Sequence, residues 1–444
     1  MVAAACLPTP ERACSVDCGS SAAARLGQRQ VIIEDIVAQH AEEAAFLWLL
    51  RAAAVRAPHY DLQDLADLEE RVEAHLDGLR VAGEAGWPFC ADGLQQEECG
   101  EVFTAAFIAL DADRDDWLAP VLDTVAASPG TLDGLVSALG WVQRERLKGR
   151  VVDWLKSDDP LRHRLGLAAC TVQRVDCGGY LASSLQDADA AVRAAALRNV
   201  AGMRRRDLLP GVVAALDDED ADCRLQAAHA VTLLGESLGL ARLSDVAGGP
   251  PGHAQAAALQ LLLRALPHGD AVDWVRSAHA QGLAARHVVQ ATGIIGDPVS
   301  VPWLIEQMAT PELARVAAEA FSLITGIDPA NDDLESARPE GFEAGPSEDA
   351  QDDDVALDPD EDLAWPAPDR LAQWWVDHRA AYAPGTRYLC GRPIDADGCH
   401  AVLAGGLQRQ RRAAALELAL LEPARPVFNT SAPARRQREL LGLR

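Results

Sequence analysis

The sequence predicts an all-α chain, built for most of its length as an α-solenoid of short helical pairs. Three observations carry this. Aromatic residues make up only 5% of a chain that is 49% hydrophobic, so alanine, leucine and valine must fill the interior. Alanine favours helix because it gives up no rotamer freedom. Strand signals are scarce, whereas apolar residues recur three and four positions apart. The third observation is an internal repeat with a step of 31 residues.

Starting at Leu161, that step visits Val192, Cys223, Ala254, Ala285 and Val316. Four residues on stand Leu165, Ala196, Ala227, Ala258, Val289 and Ala320, and four further Ala169, Val200, Val231, Leu262, Gly293 and Ile324. An apolar row at i, i+4 and i+8 is one helix face, and 31 residues hold two short helices and two turns. Such a pair cannot bury its apolar face alone, and stacking the pairs makes one continuous core. Acidic turns precede the repeated helix: Asp158-Asp159-Pro160, Asp187 and Asp189, and Asp217 through Asp220. Aspartate there caps a helix N-terminus and complements its dipole. Arg162, Arg193, Arg224 and Arg286 recur one residue after the start of a copy, and are expected to bridge to the acidic turns of neighbouring copies.

Residues 1–28 are small, polar and aperiodic and predict a disordered leader. They lack the basic start and sustained apolar core of a signal peptide. A helical N-terminal cap is expected over 29–128. Within it the stretch from Val31 to Val55 is apolar on more than one side and predicts a well-buried helix, followed by an amphipathic one through Leu65, Leu68, Val72, Leu76 and Leu79. His75 and Asp77 in the latter suggest a structural pair. The repeat array is expected over 129–328.

The last copy, TGIIGDPVSVPWLIEQMATPELARVAAEAFSLITG, opens with Gly293 and Gly296 and invites comparison with a phosphate-cradling loop. Such a loop needs a preceding strand and either G-x-G-x-x-G or a Lys-Ser/Thr partner, and neither is here. Asp297 as N-cap before Pro298, Thr310 before Pro311, and Gly326 as a left-handed terminator make it a joint between helices.

An acidic, disordered insert is expected over 329–364: residues 331–363 hold fourteen carboxylates against one arginine. A helical C-terminal cap follows over 365–444, where from residue 385 ten arginines face five acids. One hypothesis has the insert folding back over these arginines in competition with an acidic partner.

The copies resemble HEAT repeats of the short bacterial kind, in the paired helices, the Asp-bearing turn, the arginine that follows, and the GDP, VPWLI and ITG elements of the last copy. The likeness covers about residues 130–380, including the helix with Trp374 and Trp375. A narrower likeness rests on residues 40–83, RYLCGRP, QRQRRAAALELALLEP and FNTSAPARRQ. These are similar to an uncharacterised bacterial HEAT-repeat family often encoded beside type VI secretion spike and adaptor genes. The resemblance implies a non-enzymatic scaffold, adaptor or co-chaperone for a protein partner, plausibly a secretion effector or spike component.

Alternatives were weighed on the residues. Di-iron hydroxylases on this scaffold need His-Glu dipeptides, and none of the eleven histidines is followed by Glu. Bilin-lyase chemistry leaves no motif to match, though an enzyme or lyase on a HEAT scaffold stays open because catalytic partners are spatial neighbours. A nucleic-acid binder is disfavoured by the net charge of −27. The dense basic run Arg204-Arg205-Arg206 reads as a solvated helix end. Of ten cysteines none forms C-x-x-C. Cys390, Cys399 and His400 offer three potential ligands at a spacing wider than zinc sites use, so free thiols in a reducing cytoplasm are expected. No run approaches membrane-spanning length.

The expectation is therefore a cytoplasmic protein-binding chain with no catalytic residue, cofactor, metal, membrane or nucleic-acid partner. The candidate partner-binding residues are Trp303, Trp374 and Trp375, as aromatic anchors, and the basic C-terminal residues Arg409, Arg411, Arg412, Arg435 and Arg436.

Overall fold

A computed structural model describes residues 32–346 and 356–443. The expected leader and residues 347–355 of the acidic insert lie outside this range. The described chain is all-α. It has twenty-two α-helices, and its strand content is a two-residue hairpin, Tyr388–Leu389 against Arg392–Pro393, with one bridge from Glu335 to Pro366. Among the described residues no helix is long and apolar enough to cross a membrane.

Nine helices form a row in which each packs on the next: Glu34–Ala54, Cys99–Asp111, Leu132–Trp141, Pro160–Gln173, Ala190–Met203, Ala221–Leu233, His253–Ala265, Ala285–Ile295 and Pro311–Thr325. Further helices pack beside the row, as Leu238–Ala247 does against both Ala221–Leu233 and His253–Ala265. The two inner positions of the 31-residue register, Leu165 to Ala320 and Ala169 to Ile324, are buried in all six copies. The outermost position is less regular: Ala254 and Ala285, each in the first turn of its helix, are exposed. The register also runs backwards beyond residue 129, through Gly134 and Phe103 and through Ala138 and Phe107, all buried. Gly134 is glycine for a physical reason. A Cβ there would stand 2.2 Å from the Cys99 carbonyl oxygen, so only a bare backbone lets these two helices approach.

Aspartate caps set the start of three row helices, while Thr310, expected to cap the last, makes no side-chain cap bond. Asp159, Asp189 and Asp220 accept from the amides of Leu161 (3.0 Å), Val192 (3.1 Å) and Cys223 (2.9 Å), and Asp297 accepts from Val299 (3.0 Å). Pro298 opens a short 3-10 turn ahead of Val301–Gln307, Pro311 opens the last row helix, and Gly326 ends it at φ 78°.

Three expectations are corrected. The Glu34–Ala54 helix is not well buried: Ile36, Phe46, Leu49 and Leu50 stand exposed along one side, because no other described helix covers that face. His75 does not pair with Asp77. Its Nδ1 lies 3.2 Å from Nδ1 of His40, while Asp77 bonds Arg80 one turn on. The acidic insert is laid against the end of the row at both of its described ends. Asp360 takes a fork from Arg286, and Arg315 donates to Asp358 (2.7 Å) and to the Asp360 carbonyl (2.8 Å). The Arg315 guanidinium lies 4.5 Å from the Trp365 ring centroid and 5.6 Å from that of Phe342.

The described parts of the insert thus bond repeat arginines, Arg286 and Arg315. Its role is clear from Arg193, which grips Asp218 in the next copy's turn at 2.8 Å with two nitrogens. The last copy has Thr310-Pro311 in place of an acidic turn, and the insert supplies the missing carboxylates to Arg286.

Candidate binding cleft

Every α-helix ends with carbonyls that have no partner inside the helix and with the negative pole of its dipole. A row of helices in one register sets these ends out as a ladder, and this chain reads that ladder with its own C-terminal part. The amides of Tyr388, Cys390 and Gly391 donate to the carbonyls of Gly296 (2.8 Å), Leu323 (2.6 Å) and Ile324 (2.9 Å). Arg387 donates to Ile295 (2.8 Å) and to Glu417 (2.7 Å), beside Arg264. Arg204 donates to the carbonyls of Ala419 and Pro423, and the Val427 amide donates to Gly202 at 3.0 Å. Arg435 and Arg436 donate to Trp141 (2.7 Å) and Val172 (3.4 Å). From segment 387–391 through 419–427 to 435–436 the contacts move from the last two row helices to the ends of the helices at Gly202, Val172 and Trp141.

The strap finishes on the first helices. Arg51, paired with Glu69 at 2.9 Å, donates to the carbonyls of Ser431 and Ala432, and Glu69 accepts the Ala434 amide at 2.6 Å. The glycines that suggested a phosphate loop have their function here. A Cβ on Gly296 would lie 2.4 Å from the Tyr388 carbonyl, and one on Gly326 would lie 2.7 Å from backbone atoms of Cys390. These glycines admit the returning backbone.

The candidate residues fall into three settings. Arg411 is fully buried and bonds the Leu403 carbonyl (2.8 Å), Gln408 (2.9 Å) and Gln437 (2.6 Å), so it organises the interior of the C-terminal helices. Arg409 ties the two ends of the row together, donating to the Arg56 carbonyl (2.8 Å) and to Glu319 (2.7 Å), while Arg412 is exposed. Trp303, Trp374 and Trp375 pack among the last row helices and Pro368–His378. Trp374 meets Phe321 edge-on at 5.7 Å, and Trp375 is buried against Tyr382. The structure does not bring the tryptophans to the arginines. Nor does it assemble Cys390, Cys399 and His400: among the described residues no three His, Cys, Asp or Glu side chains stand together as a metal site.

Arg435 and Arg436 line a cleft of 1260 Å³ between the strap and the ends of the row helices, together with Arg144, Arg174, Arg425 and His400. Glu145, Glu422 and Glu439 are the carboxylates of its wall, and Glu422 is engaged by Arg425 at 2.8 Å. Arg144 and Arg174 bond only groups at the end of one row helix, Arg144 the Gln173 carbonyl at 2.7 Å and Arg174 the Thr171 carbonyl at 2.9 Å. Burial pushes Arg174 down to about 10, and its Nε is buried without an acceptor. Burial, with the charges of Arg144 and Arg435 beside it, lowers Arg436 as well. These groups stay charged at neutral pH, crowd one another, and have donor capacity left over. An anion entering the cleft relieves both conditions.

The sequence drew attention to Arg435 and Arg436 but missed Arg144 and Arg174. A signal was present, since Arg144, Arg174 and Arg204 are each 30 residues apart and lie at the ends of successive row helices. The run Arg204-Arg205-Arg206 is a solvated end only in part: Arg204 is buried in the strap and Arg205 pairs with Asp176 and Asp207, while Arg206 is exposed beside Glu236.

No protein-family model matches the chain, and no curated protein matches it.

Proposed function

We propose that the protein is a non-enzymatic binding scaffold, a HEAT-like α-solenoid whose arginine cleft holds an acidic segment of a partner protein. The solenoid reading is supported by the stacked helical pairs, their 31-residue step, and the arginine-to-next-turn bridge from Arg193 to Asp218. One observation carries the ligand class. Arg174 and Arg204 hold the same left-handed terminal position in consecutive copies, at φ 53° and φ 60°. Arg204 finds its acceptors in the strap, whereas Arg174 faces the cleft without any acceptor from it.

A short acidic peptide fits this geometry better than a duplex. Double-stranded DNA carries one charge per about 1.7 Å and would lay most of them against a chain of net charge −27. The likeness to a family encoded with type VI secretion genes narrows the proposal to an adaptor or co-chaperone for a secretion effector or spike component.

The test is fluorescence anisotropy with a labelled peptide of alternating Glu, Asp and Leu, set beside a DNA duplex of similar charge. Binding of the peptide that weakens with salt and falls about tenfold in Arg174→Glu and Arg436→Glu supports the reading. Equal binding by wild type and both variants, or preference for the duplex, overturns it. Stoichiometric metal or pigment in purified protein overturns the non-enzymatic part.

A further inference from the structure

The exposed side of the Glu34–Ala54 helix belongs to neither the row nor the cleft. Large apolar side chains on a helix are normally turned towards its neighbours, yet here Ile36 is 48%, Phe46 55%, Leu49 40% and Leu50 42% exposed. Five of the large hydrophobic side chains exposed among the described residues lie between Ile33 and Leu50, and nowhere else do they gather so closely. Phe46, Leu49 and Leu50 form the larger group, set apart from Ile33 and Ile36 by the exposed Gln39 and Glu42, and an exposed apolar cluster of this kind marks an interaction site. It borders a groove of 450 Å³ walled on its far side by Trp87–Gly93 and Cys99–Asp111.

The walls state what the groove accepts. Phe46, Leu49 and Phe89 are its apolar lining, and Glu42, Asp92 and Glu101 are its charged groups, with no basic side chain among them. One carboxylate oxygen of Glu101 is buried without a hydrogen-bond donor among the described residues, so the groove holds an acceptor that they leave open. Two copies related by a twofold axis would set one acidic groove against another, which argues against self-association through this face.

We propose that this groove docks an amphipathic helix of a partner protein, apolar on one side and carrying arginine or lysine along its margin. The helix lies on the first member of the row, its apolar side covering Phe46 and Leu49 and a basic side chain reaching Glu101. This is the helix-in-groove mode of recognition, and it continues at the open end of the row the packing that each row helix makes on the next. The surface is separate from the arginine cleft and takes a ligand of opposite charge, so either can fail without the other.

The probe is a fluorescein-labelled helical peptide of leucine, alanine and arginine, about 18 residues or five turns long, with a control in which glutamate replaces arginine. Anisotropy on the full chain is expected to show binding of the arginine peptide and not of the control. Phe46→Glu should weaken it about tenfold and Glu101→Gln about fivefold. Phe46→Glu is decisive because it makes an already acidic protein more acidic. Non-specific attraction of a cation would strengthen, whereas docking on Phe46 weakens. Because Phe46 is exposed, an unchanged thermal melt checks that the variant is folded, and Arg436→Glu should leave this peptide's affinity unchanged. Equal affinity of the Phe46→Glu variant, equal binding of the glutamate peptide, or a dimer in sedimentation that Phe46→Glu dissolves would each overturn the proposal.

Discussion

Arg174 and Arg204 sit 30 residues apart in the same left-handed position at the ends of consecutive row helices, and only Arg204 grips the returning C-terminal strap. The repeat provides one geometry twice, and the strap fills one instance of it.

That difference has a measurable consequence for stability. Arg204→Ala removes the donors to two strap carbonyls in a buried setting and should cost about 1–3 kcal/mol in urea unfolding. Arg174→Ala should cost less than about 0.5 kcal/mol or stabilise slightly, since its Nε already lacks an acceptor.

The glycine at residue 296 gives a sharper test. It combines φ 77° with a Tyr388 carbonyl standing 2.4 Å from where a Cβ would be. Gly296→Ala should destabilise by at least about 1–3 kcal/mol and raise hydrogen exchange in the 388–391 hairpin, because the strained position and the backbone contact act together. Gly405→Ala, in a site with nothing near a new Cβ, is the matched control and should leave that exchange unchanged.

The insert should be released by acid. Burial works against ionisation of Asp358, but the amide of Asp360 and the Arg315 guanidinium overcome it and hold its carboxyl below the usual carboxylate range. A depressed folded value contributes stability that is complete above the unfolded carboxylate value, about 3.9, and is lost as pH falls through the folded value. Limited proteolysis within residues 328–346 should therefore stay flat from neutral pH to about 4 and rise below it, while Asp358→Asn should be susceptible at pH 7.

A second titration works at milder pH. Burial, aided by Arg412 and opposed by Asp222, holds His229 down to about 4. The unfolded chain takes up this proton near its ordinary value of about 6.5 while the folded chain stays neutral. The His229 contribution should be constant above about 6.5, decline towards pH 4, and level below, a loss of up to about 3 kcal/mol. His229→Leu should flatten this slope in urea midpoints taken at pH 4.5 and pH 7.

The division between sequence and tertiary structure follows from the range over which each kind of information acts. The 31-residue register, the buried positions from Leu165 to Ile324, and the aspartate caps at Asp159, Asp189 and Asp220 were legible because helix faces and N-termini are written in residues three or four apart. The bridge to the next copy's turn was legible for Arg193, but Arg162 and Arg224 turn back to their own turns at Asp159 and at the Asp218 and Glu219 carbonyls, because the reach of a long side chain is not fixed by the repeat. What Arg204, Arg435 and Gly296 do was not legible, since each acts between the row and a strap that returns along it, as much as 294 residues away for Arg435 and Trp141. Arg411 was hidden for another reason, because Leu403, Gln408 and Gln437 surround it only once the C-terminal helices pack. A run of arginines reads as a solvated surface in one dimension. It becomes an interior only when helix ends with unpaired carbonyls are brought to it. The Glu34–Ala54 helix shows the reverse case. That it is apolar on more than one side was plain in the sequence, but only the packing shows that one side is left without a cover among the described residues.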